Sequence, residues 1–138
     1  MRAQDRYEAL ASSDGQALEA LADEILATGV DVSVTAGPES VSAPVRVGVS
    51  GSGGTTVVLG HVALTRCTAH VDGVRGDGIR AGHDLTGALA AAICDAECER
   101  GGPLSPRVHE LCRSAQTEAA RRRSQRADLV AMTTMEEP

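Results

Sequence analysis

The sequence predicts an α+β domain in which helices come first, an antiparallel β-sheet follows, and a C-terminal helical hairpin ends the chain. Three patterns indicate this fold class. Apolar residues recur at helical spacing over residues 15–28, valines alternate with other residues over 30–49, and an alanine-rich helical stripe follows residue 84. Helices do not alternate with strands, so the sheet is expected to be antiparallel. A chain of 138 residues fits a single domain, spanning 1–138.

Two short helices are expected at the N-terminus, over residues 5–11 and 15–28. Ser13 and Gln16 have the three-residue spacing of a capping box, which predicts that the Ser13 hydroxyl caps the second helix. Gly29 is expected to end this helix. The apolar residues of its buried face are Leu18, Leu21 and Ile25.

The middle of the chain has a period of two, which is typical of β-strands. We expect strands over residues 30–34, 41–49 and 55–69. Gly37-Pro38 predicts a turn between the first two strands, and residues 50–54 predict a hairpin connection before the third.

The second of these strands has the most regular alternation, formed by Val41, Ala43, Val45, Val47 and Val49. Pro44 points away from this face and favours an edge strand. Gly60 predicts a kink in the third strand. A short hairpin arm over residues 71–80 is expected to turn at Asp72-Gly73.

The last part of the chain predicts two helices. Asp84 is expected to cap the first of them, and Gly101-Gly102-Pro103 ends it. Its apolar stripe comprises Leu85, Ala88, Leu89, Ala92, Ile93 and Ala96. Ser105-Pro106 opens the second helix, which runs toward Arg126. Residues 129–132 form a short apolar tail that is expected to dock or to pair as a strand.

The composition is most unusual in what it lacks. The chain has no Phe, Trp, Lys or Asn, and its single aromatic residue is Tyr7. A core of Val, Leu and Ala buries less area per side chain than one with aromatic rings, each of which buries about 150–250 Å². Association with partner proteins, with possible self-association, is therefore expected.

The net charge of −6 argues against a general nucleic-acid-binding protein, because such proteins present basic surfaces. A local exception is the run Arg121-Arg122-Arg123 together with Arg126. Glu118 lies four residues before Arg122 and can pair with it on a helix. The basic run is interpreted as a solvated or partner-facing helix end.

The N-terminus has no apolar signal-peptide region, and no run of about 18 apolar residues exists that could span a membrane. We therefore expect a cytoplasmic protein without a membrane anchor. Its four cysteines are then expected to be reduced thiols or metal ligands, and not a disulfide framework.

Two glycine-rich segments invite comparison with phosphate-binding loops. Residues 47–54 precede a strand instead of a helix, and the chain lacks the lysine that a P-loop requires. Residues 73–82 do precede a helix, but the strand–helix–strand context of a dinucleotide site is missing. Asp84 would also repel an anion at that helix start. Both segments are interpreted as turns, and no cofactor is expected.

The thiols and histidines suggest an alternative to a purely structural reading. Across the predicted helical hairpin, four side chains could meet as the N and S ligands of a structural zinc ion. They are Cys94, Cys98, His109 and Cys112. This arrangement would describe a stand-alone binding domain with a zinc-stapled hairpin. Small cysteines that pack a helix interface are the commoner case.

Catalytic groups are harder to assign. Cys67 and His70 are three residues apart on a strand and therefore point to opposite faces, so a thiol nucleophile with a histidine base is not expected. The acidic residues Asp95, Glu97 and Glu99 are interpreted as a solvated helix face.

Several motifs occur in an order that resembles the PhnG family, a subunit of the bacterial carbon–phosphorus lyase complex for phosphonate degradation. The matching positions are Gly60, Thr65-Arg66, Gly82, Asp84, Ala91-Ala92-Ile93-Cys94-Asp95-Ala96, and Arg126 to Met132 with Asp128. The resemblance covers nearly the whole chain. Leu129 and Val130 depart from it, because the family usually has aromatic residues there.

The resemblance implies a role in a multi-protein assembly. Such proteins act with PhnI, PhnH and PhnL proteins to transfer methylphosphonate to the ribose C1 of ATP with release of adenine, and PhnI-, PhnH- and PhnJ-like subunits are the expected partners in the core complex. The product is α-D-ribose 1-methylphosphonate 5-triphosphate. The nucleosidase-type chemistry is associated with the PhnI partner, so this chain is expected to be an accessory subunit without an active site of its own. Arg66 is expected to form a surface ion pair.

Overall fold

The structure is a computed structural model that describes residues 1–48 and 56–136. Within these residues the elements are α1 (Ala3–Ser12), α2 (Gly15–Ala27), β1 (Val32–Gly48), β2 (Thr56–Val71), β3 (Val74–Ala81), α3 (Leu85–Glu99) and α4 (Ser105–Glu136). The strands form an antiparallel sheet in the order β1-β2-β3. The α+β class and the order of helices, sheet and helices are confirmed. None of the described helices combines the length and the apolar character that crossing a membrane requires.

The start of α2 differs from the prediction. Asp14 caps this helix, and its carboxylate accepts a hydrogen bond from the Ala17 N–H at 3.0 Å. The Ser13 hydroxyl instead donates to the Ala9 carbonyl at 2.8 Å. The predicted capping box of Ser13 and Gln16 is therefore wrong, because α1 extends to Ser12 and Ser13 serves the end of that helix.

The first two predicted strands are one long strand. β1 runs through Gly37-Pro38, where the sequence predicts a turn, and its register against β2 shifts on both sides of Ala36. Bulges of this kind admit extra residues into one strand without ending the pairing. β1 is an edge strand, as Pro44 indicates. The predicted hairpin connection at residues 50–54 and the last valine of the alternation, Val49, lie outside the described residues.

Two irregularities agree with the sequence. Val45 pairs with Gly60 whereas Arg46 pairs with Val58, so one residue of β2 is unmatched next to Gly60, where a kink is predicted. Asp72 and Gly73 connect β2 to β3 with positive φ angles of 49° and 80°. This is the backbone of a tight hairpin turn whose twist suits antiparallel strands.

Helix α3 is the centre of the core. It packs on β2 and β3 on one side and on α1, α2 and α4 on the others. All but one of its residues from Gly87 to Glu97 are buried, so the predicted apolar stripe is too narrow. Leu85, which was assigned to that stripe, is 54% exposed because it lies in the first turn of the helix, beyond the packed part.

Helix α4 is longer than predicted. Its N-terminal half contributes the buried residues Val108, Cys112 and Ala115, and it packs against α1 and α2 as well as α3. The helix then continues to Glu136, and every residue from 120 to 133 is exposed. Residues 129–132 thus neither pair as a strand nor dock on the body, because they continue the helix beyond the end of the packed elements.

Candidate functional site

A polar cleft of about 600 Å³ lies between α1, the sheet and the C-terminal half of α3. The polar and charged side chains that line it are Gln4, Tyr7, Glu39, Arg66, Thr68, Arg75, Asp77, Asp95 and Glu99. Cys67 also reaches the cleft. The single aromatic residue of the chain therefore lies beside the largest group of charged side chains in its described part.

The floor of the cleft is built on a buried ion pair. The Arg6 side chain is 6% exposed, and its Nε donates to Asp95 Oδ1 at 2.6 Å, while a second guanidinium nitrogen binds Glu99. The other Asp95 oxygen accepts from the Asp77 N–H at 2.9 Å. These contacts tie α1 and β3 to α3. The prediction that Asp95, Glu97 and Glu99 form a solvated face is wrong for the first two, since Asp95 and Glu97 are both buried.

The arginines that face the cleft are each neutralised by a carboxylate. Arg66 Nε lies 2.9 Å from Glu39 Oε1, which agrees with the predicted surface ion pair. Arg75 donates twice to Asp77, and Thr68 donates to the same carboxylate at 2.7 Å. Burial acts to raise the pKa of Asp77, but these hydrogen bonds outweigh it and hold the pKa below its ordinary value.

The pKa of Tyr7 is raised by burial and by the nearby Asp77 carboxylate, so the phenol is a poor general base at neutral pH. The thiol of Cys67 is 3% exposed, and burial followed by the Asp77 charge raises its pKa as well. His70 lies 3.4 Å from Thr35 Oγ1 in an exposed contact. Because a nucleophilic thiol requires a lowered pKa, these side chains favour binding over covalent chemistry.

Three of the motif residues meet at the start of α3. The Thr65 hydroxyl is buried, donates to the Gly82 carbonyl at 2.6 Å and accepts from the Asp84 N–H at 3.0 Å. The Asp84 carboxylate caps the helix by accepting from the Gly87 N–H at 2.9 Å, as predicted, and also binds Arg80. This part of the motif therefore joins the sheet to the central helix.

The other motif residues lie apart from this junction. Arg66 and Asp95 line the cleft, Gly60 lies at the bulge of β2, and Asp128 and Met132 lie on the exposed end of α4. Met132 is 58% exposed. The motif thus marks several places in the molecule and not one site.

The four side chains of the zinc hypothesis are not gathered into a site. Cys94 and Cys112 are fully buried in the core, and Cys98 Sγ lies 4.0 Å from the Ser105 carbonyl. Burial raises the pKa of the Cys98 and Cys112 thiols to about 11. His109 is half-buried, and burial lowers its pKa. In the part of the chain that the structure describes, no three His, Cys, Asp or Glu side chains are arranged to hold a metal ion.

Glu97 has a structural role that the sequence analysis missed. Its carboxylate is fully buried, binds Arg100 Nε at 2.6 Å and accepts from the Leu104 N–H at 3.0 Å. It thereby holds the loop between α3 and α4. Arg6 was also missed, although its position gave a signal. Arg6, Ala9 and Leu10 share one face of α1 at helical spacing, and an arginine on an apolar face requires a buried partner.

A second candidate surface is the arm formed by residues 41–48 of β1 and 56–64 of β2. In β2, residues 56–64 are exposed or half-buried, whereas alternate residues from Thr65 onward are buried. The buried residues Cys67 and Ala69 pack on α3. The arm therefore extends the sheet beyond the part that the helix covers.

The two faces of the arm differ in character. Register partners share a face, and successive residues alternate between faces. The pairs Val41–Leu64 and Ala43–Val62 lie on the face away from α3. The pairs Ser42–Ala63 and Pro44–His61 lie on the opposite face. Of the apolar face, Val45 is 38% exposed, Val57 is 42% exposed and Val62 is 46% exposed. The valine alternation that predicts the strand thus forms an open apolar surface.

Comparison with known proteins connects these features to a family. A family model described as "Phosphonate metabolism protein PhnG" matches residues 1–136 of the chain. The curated proteins include no match to it.

Proposed function

Because the chain belongs to the PhnG family of phosphonate metabolism proteins, we propose that it is a non-catalytic, accessory subunit of the carbon–phosphorus lyase core complex. In this role it is required when the complex forms α-D-ribose 1-methylphosphonate 5-triphosphate from ATP and methylphosphonate. Its partners are PhnI-, PhnH- and PhnJ-like subunits. The proposal places the assembly in the cytoplasm, where ATP is available.

The observation that carries the proposal is the exposed apolar face of the arm. Leu59, the residue of β2 without a register partner, is 69% exposed, and Val45, Val57 and Val62 expose more than a third of their surface. In the described residues this face carries no charged side chain between Val41 and Leu64. Contiguous apolar surface of this kind is typical of protein–protein interfaces. A partner subunit that covers the face would remove these side chains from water.

The cleft supports the same conclusion from its chemistry. Its exposed arginines are paired with carboxylates, and its thiol and phenol have raised pKa values. A group of this kind stabilises the junction of α1, the sheet and α3 without offering a base or a nucleophile. The catalytic groups of the complex are therefore assigned to the partner subunits.

Reconstitution tests the proposal directly. The partner subunits are incubated with ATP and methylphosphonate, with and without this chain, and adenine and the phosphonate-ribose product are measured. We expect product only when the chain is present. Equal product formation in its absence would contradict a required accessory role, and family membership would then indicate ancestry alone.

A matched pair of variants tests the arm. Val62 and His61 are neighbours on opposite faces, and both are exposed. V62E places a charge on the apolar face and should weaken co-purification with the partners at least about tenfold, since burying an unpaired charge is strongly unfavourable. H61E adds the same charge to the other face and should bind normally. Equal binding by both variants would exclude the apolar face as the interface.

The zinc-stapled binding domain remains an alternative that metal analysis of the purified chain can test. No observation favours it, since the cysteine and histidine side chains named for it are dispersed between the core and the loop after α3. Stoichiometric zinc, lost together with folding on addition of a chelator, would support it.

A further inference from the structure

The exposed half of α4, residues 120–133, continues a stripe that packs the first half of the helix onto the body. Residues seven apart lie on nearly the same side of a helix. The buried Ala115 is therefore followed on this side by Arg122 and then by Leu129. Arg126 lies between the last two. These three side chains project beyond the body, and Leu129 is 63% exposed.

An isolated helical extension of this length is marginally stable in water, because most helix stability in proteins comes from packing of one face. The extension also has an uneven charge. Arg121, Arg122, Arg123 and Arg126 fall within six residues of a chain whose net charge is −6. The extension therefore calls for an acidic surface with an apolar centre.

The chain itself carries such a surface, in a groove of about 310 Å³ between α2 and α3. Its apolar lining comprises Ala22, Leu26, Leu89, Ala90 and Ile93. Glu19 and Asp23 form its acidic rim on α2. Both are exposed, and Leu26 is 42% exposed at the end of the groove.

The groove and the extension have the same spacing of groups. On α2 the order is Glu19, Asp23 and Leu26, and on α4 it is Arg122, Arg126 and Leu129, both with intervals of four and three residues. Two helices aligned in parallel advance equally along their axes. Such an alignment brings both arginines opposite carboxylates and the two leucines opposite each other.

The groups that must meet are accessible. Asp23, Arg123 and Arg126 form no ion pair within the described residues, and Glu19 is held only by the Thr86 hydroxyl at 2.6 Å. Arg122 has a single exposed pairing with Glu118 at 3.4 Å, which is weak at the surface and readily exchanged.

From this complementarity we propose that the exposed half of α4 docks in the α2–α3 groove of a second copy of this chain. Arg122 and Arg126 bind Glu19 and Asp23 of that copy, and Leu129 packs beside its Leu26. The association is electrostatic in part, so it weakens as the salt concentration rises. It concerns the chain alone and does not depend on its role in phosphonate metabolism.

Sedimentation velocity over a range of concentrations tests this proposal. We expect the wild-type chain to dimerise, and we expect the charge reversals E19R/D23R and R122E/R126E each to raise the dimer Kd by about tenfold or more. Combining all four substitutions restores the attraction with its sign reversed, and should return the Kd to within about threefold of the wild type. L129S should weaken dimerisation without changing its salt dependence.

Controls separate this contact from a general charge effect. Glu110 and Arg113 are exposed on the part of α4 that packs on the body, so E110R and R113E should leave the Kd unchanged. Circular dichroism confirms that each variant is folded. A wild-type chain that is monomeric at all concentrations overturns the proposal and assigns the extension to a different protein. A dimer that the reversals do not weaken, or that the fourfold variant does not restore, also overturns it.

Discussion

At the scale of single residues, Arg6 is the side chain with the most demanding environment. Burial lowers the pKa of its guanidinium, but hydrogen bonds and charge from Asp95 and Glu99 outweigh that effect and raise the pKa overall. The arginine therefore stays charged in the core. Its partners are unequal, because the Asp95 side chain is 10% exposed and that of Glu99 is 43% exposed. Asp95 is expected to dominate the compensation.

The variant D95A tests this expectation. It leaves the buried Arg6 guanidinium without its closest partner and removes the acceptor of the Asp77 N–H. Loss of one member of a buried ion pair costs about 3–5 kcal/mol, which we expect as the decrease in the free energy of unfolding in urea. E99Q is the matched control and should cost about 1 kcal/mol or less, since that carboxylate is partly solvated. Similar losses in both variants would show that the two carboxylates share the charge equally.

At the scale of elements, the contact of β3 with α3 explains the glycines of the segment that resembles a phosphate-binding loop. A Cβ on Gly76 would lie 2.2 Å from the Ala92 carbonyl oxygen, and one on Gly78 would lie 2.4 Å from the Ala88 carbonyl oxygen. The strand backbone thus lies directly on the helix backbone. Glycines on the strand and alanines on the helix are both required for this approach, which also accounts for much of the alanine in α3.

G78A is therefore expected to destabilise the fold. The added methyl group meets backbone atoms of α3, which cannot rotate away, so the strand or the helix must shift. Overpacking of this kind costs about 3 kcal/mol in the free energy of unfolding. G60A serves as the control, because a Cβ at Gly60 meets nothing within 4 Å, and its effect should stay within about 0.5 kcal/mol. A G78A variant as stable as G60A would mean that the two elements separate at little cost.

At the scale of the whole molecule, a compact body carries two extensions. The body is held by a core of small and aliphatic side chains around α3, and the arm and the exposed half of α4 leave it. The arm has an open apolar face, and the helical extension has a basic and apolar face. Both features suit a chain that functions in contact with other chains.

The independence of the body can be measured by truncation. A chain ending at Ala120 lacks only exposed residues of α4 and keeps Val108, Cys112 and Ala115, which pack on the body. We expect its free energy of unfolding, measured by urea denaturation at a concentration where the full chain is monomeric, to change by less than about 1 kcal/mol. A larger loss would show that the extension stabilises the body, contrary to its exposure.

The local patterns of the sequence predict much of this fold. Period-two valines locate the strands, Asp84 marks the start of α3, and Asp72-Gly73 marks the hairpin between β2 and β3, because caps and tight turns depend on neighbouring residues only. The family motifs lead to the PhnG family for the same reason, since they are properties of residue order. The candidate site was less accessible, and its Arg6, Tyr7, Arg75 and Asp77 belong to no short motif.

Only the tertiary structure decides which side of each element is covered. Sequence periodicity shows that Val41 and Val45 share a face, but it does not show that the face lies away from α3 and stays open. It shows that Asp95 is on a helix, but its burial follows from Arg6, which lies 89 positions away in the chain. Local geometry is set by short-range interactions, whereas burial and ion pairing require contacts between distant segments. The alternation, the caps and the family were therefore determined by the sequence itself, and the open arm, the buried ion pair and the exposed helix end by how the segments pack.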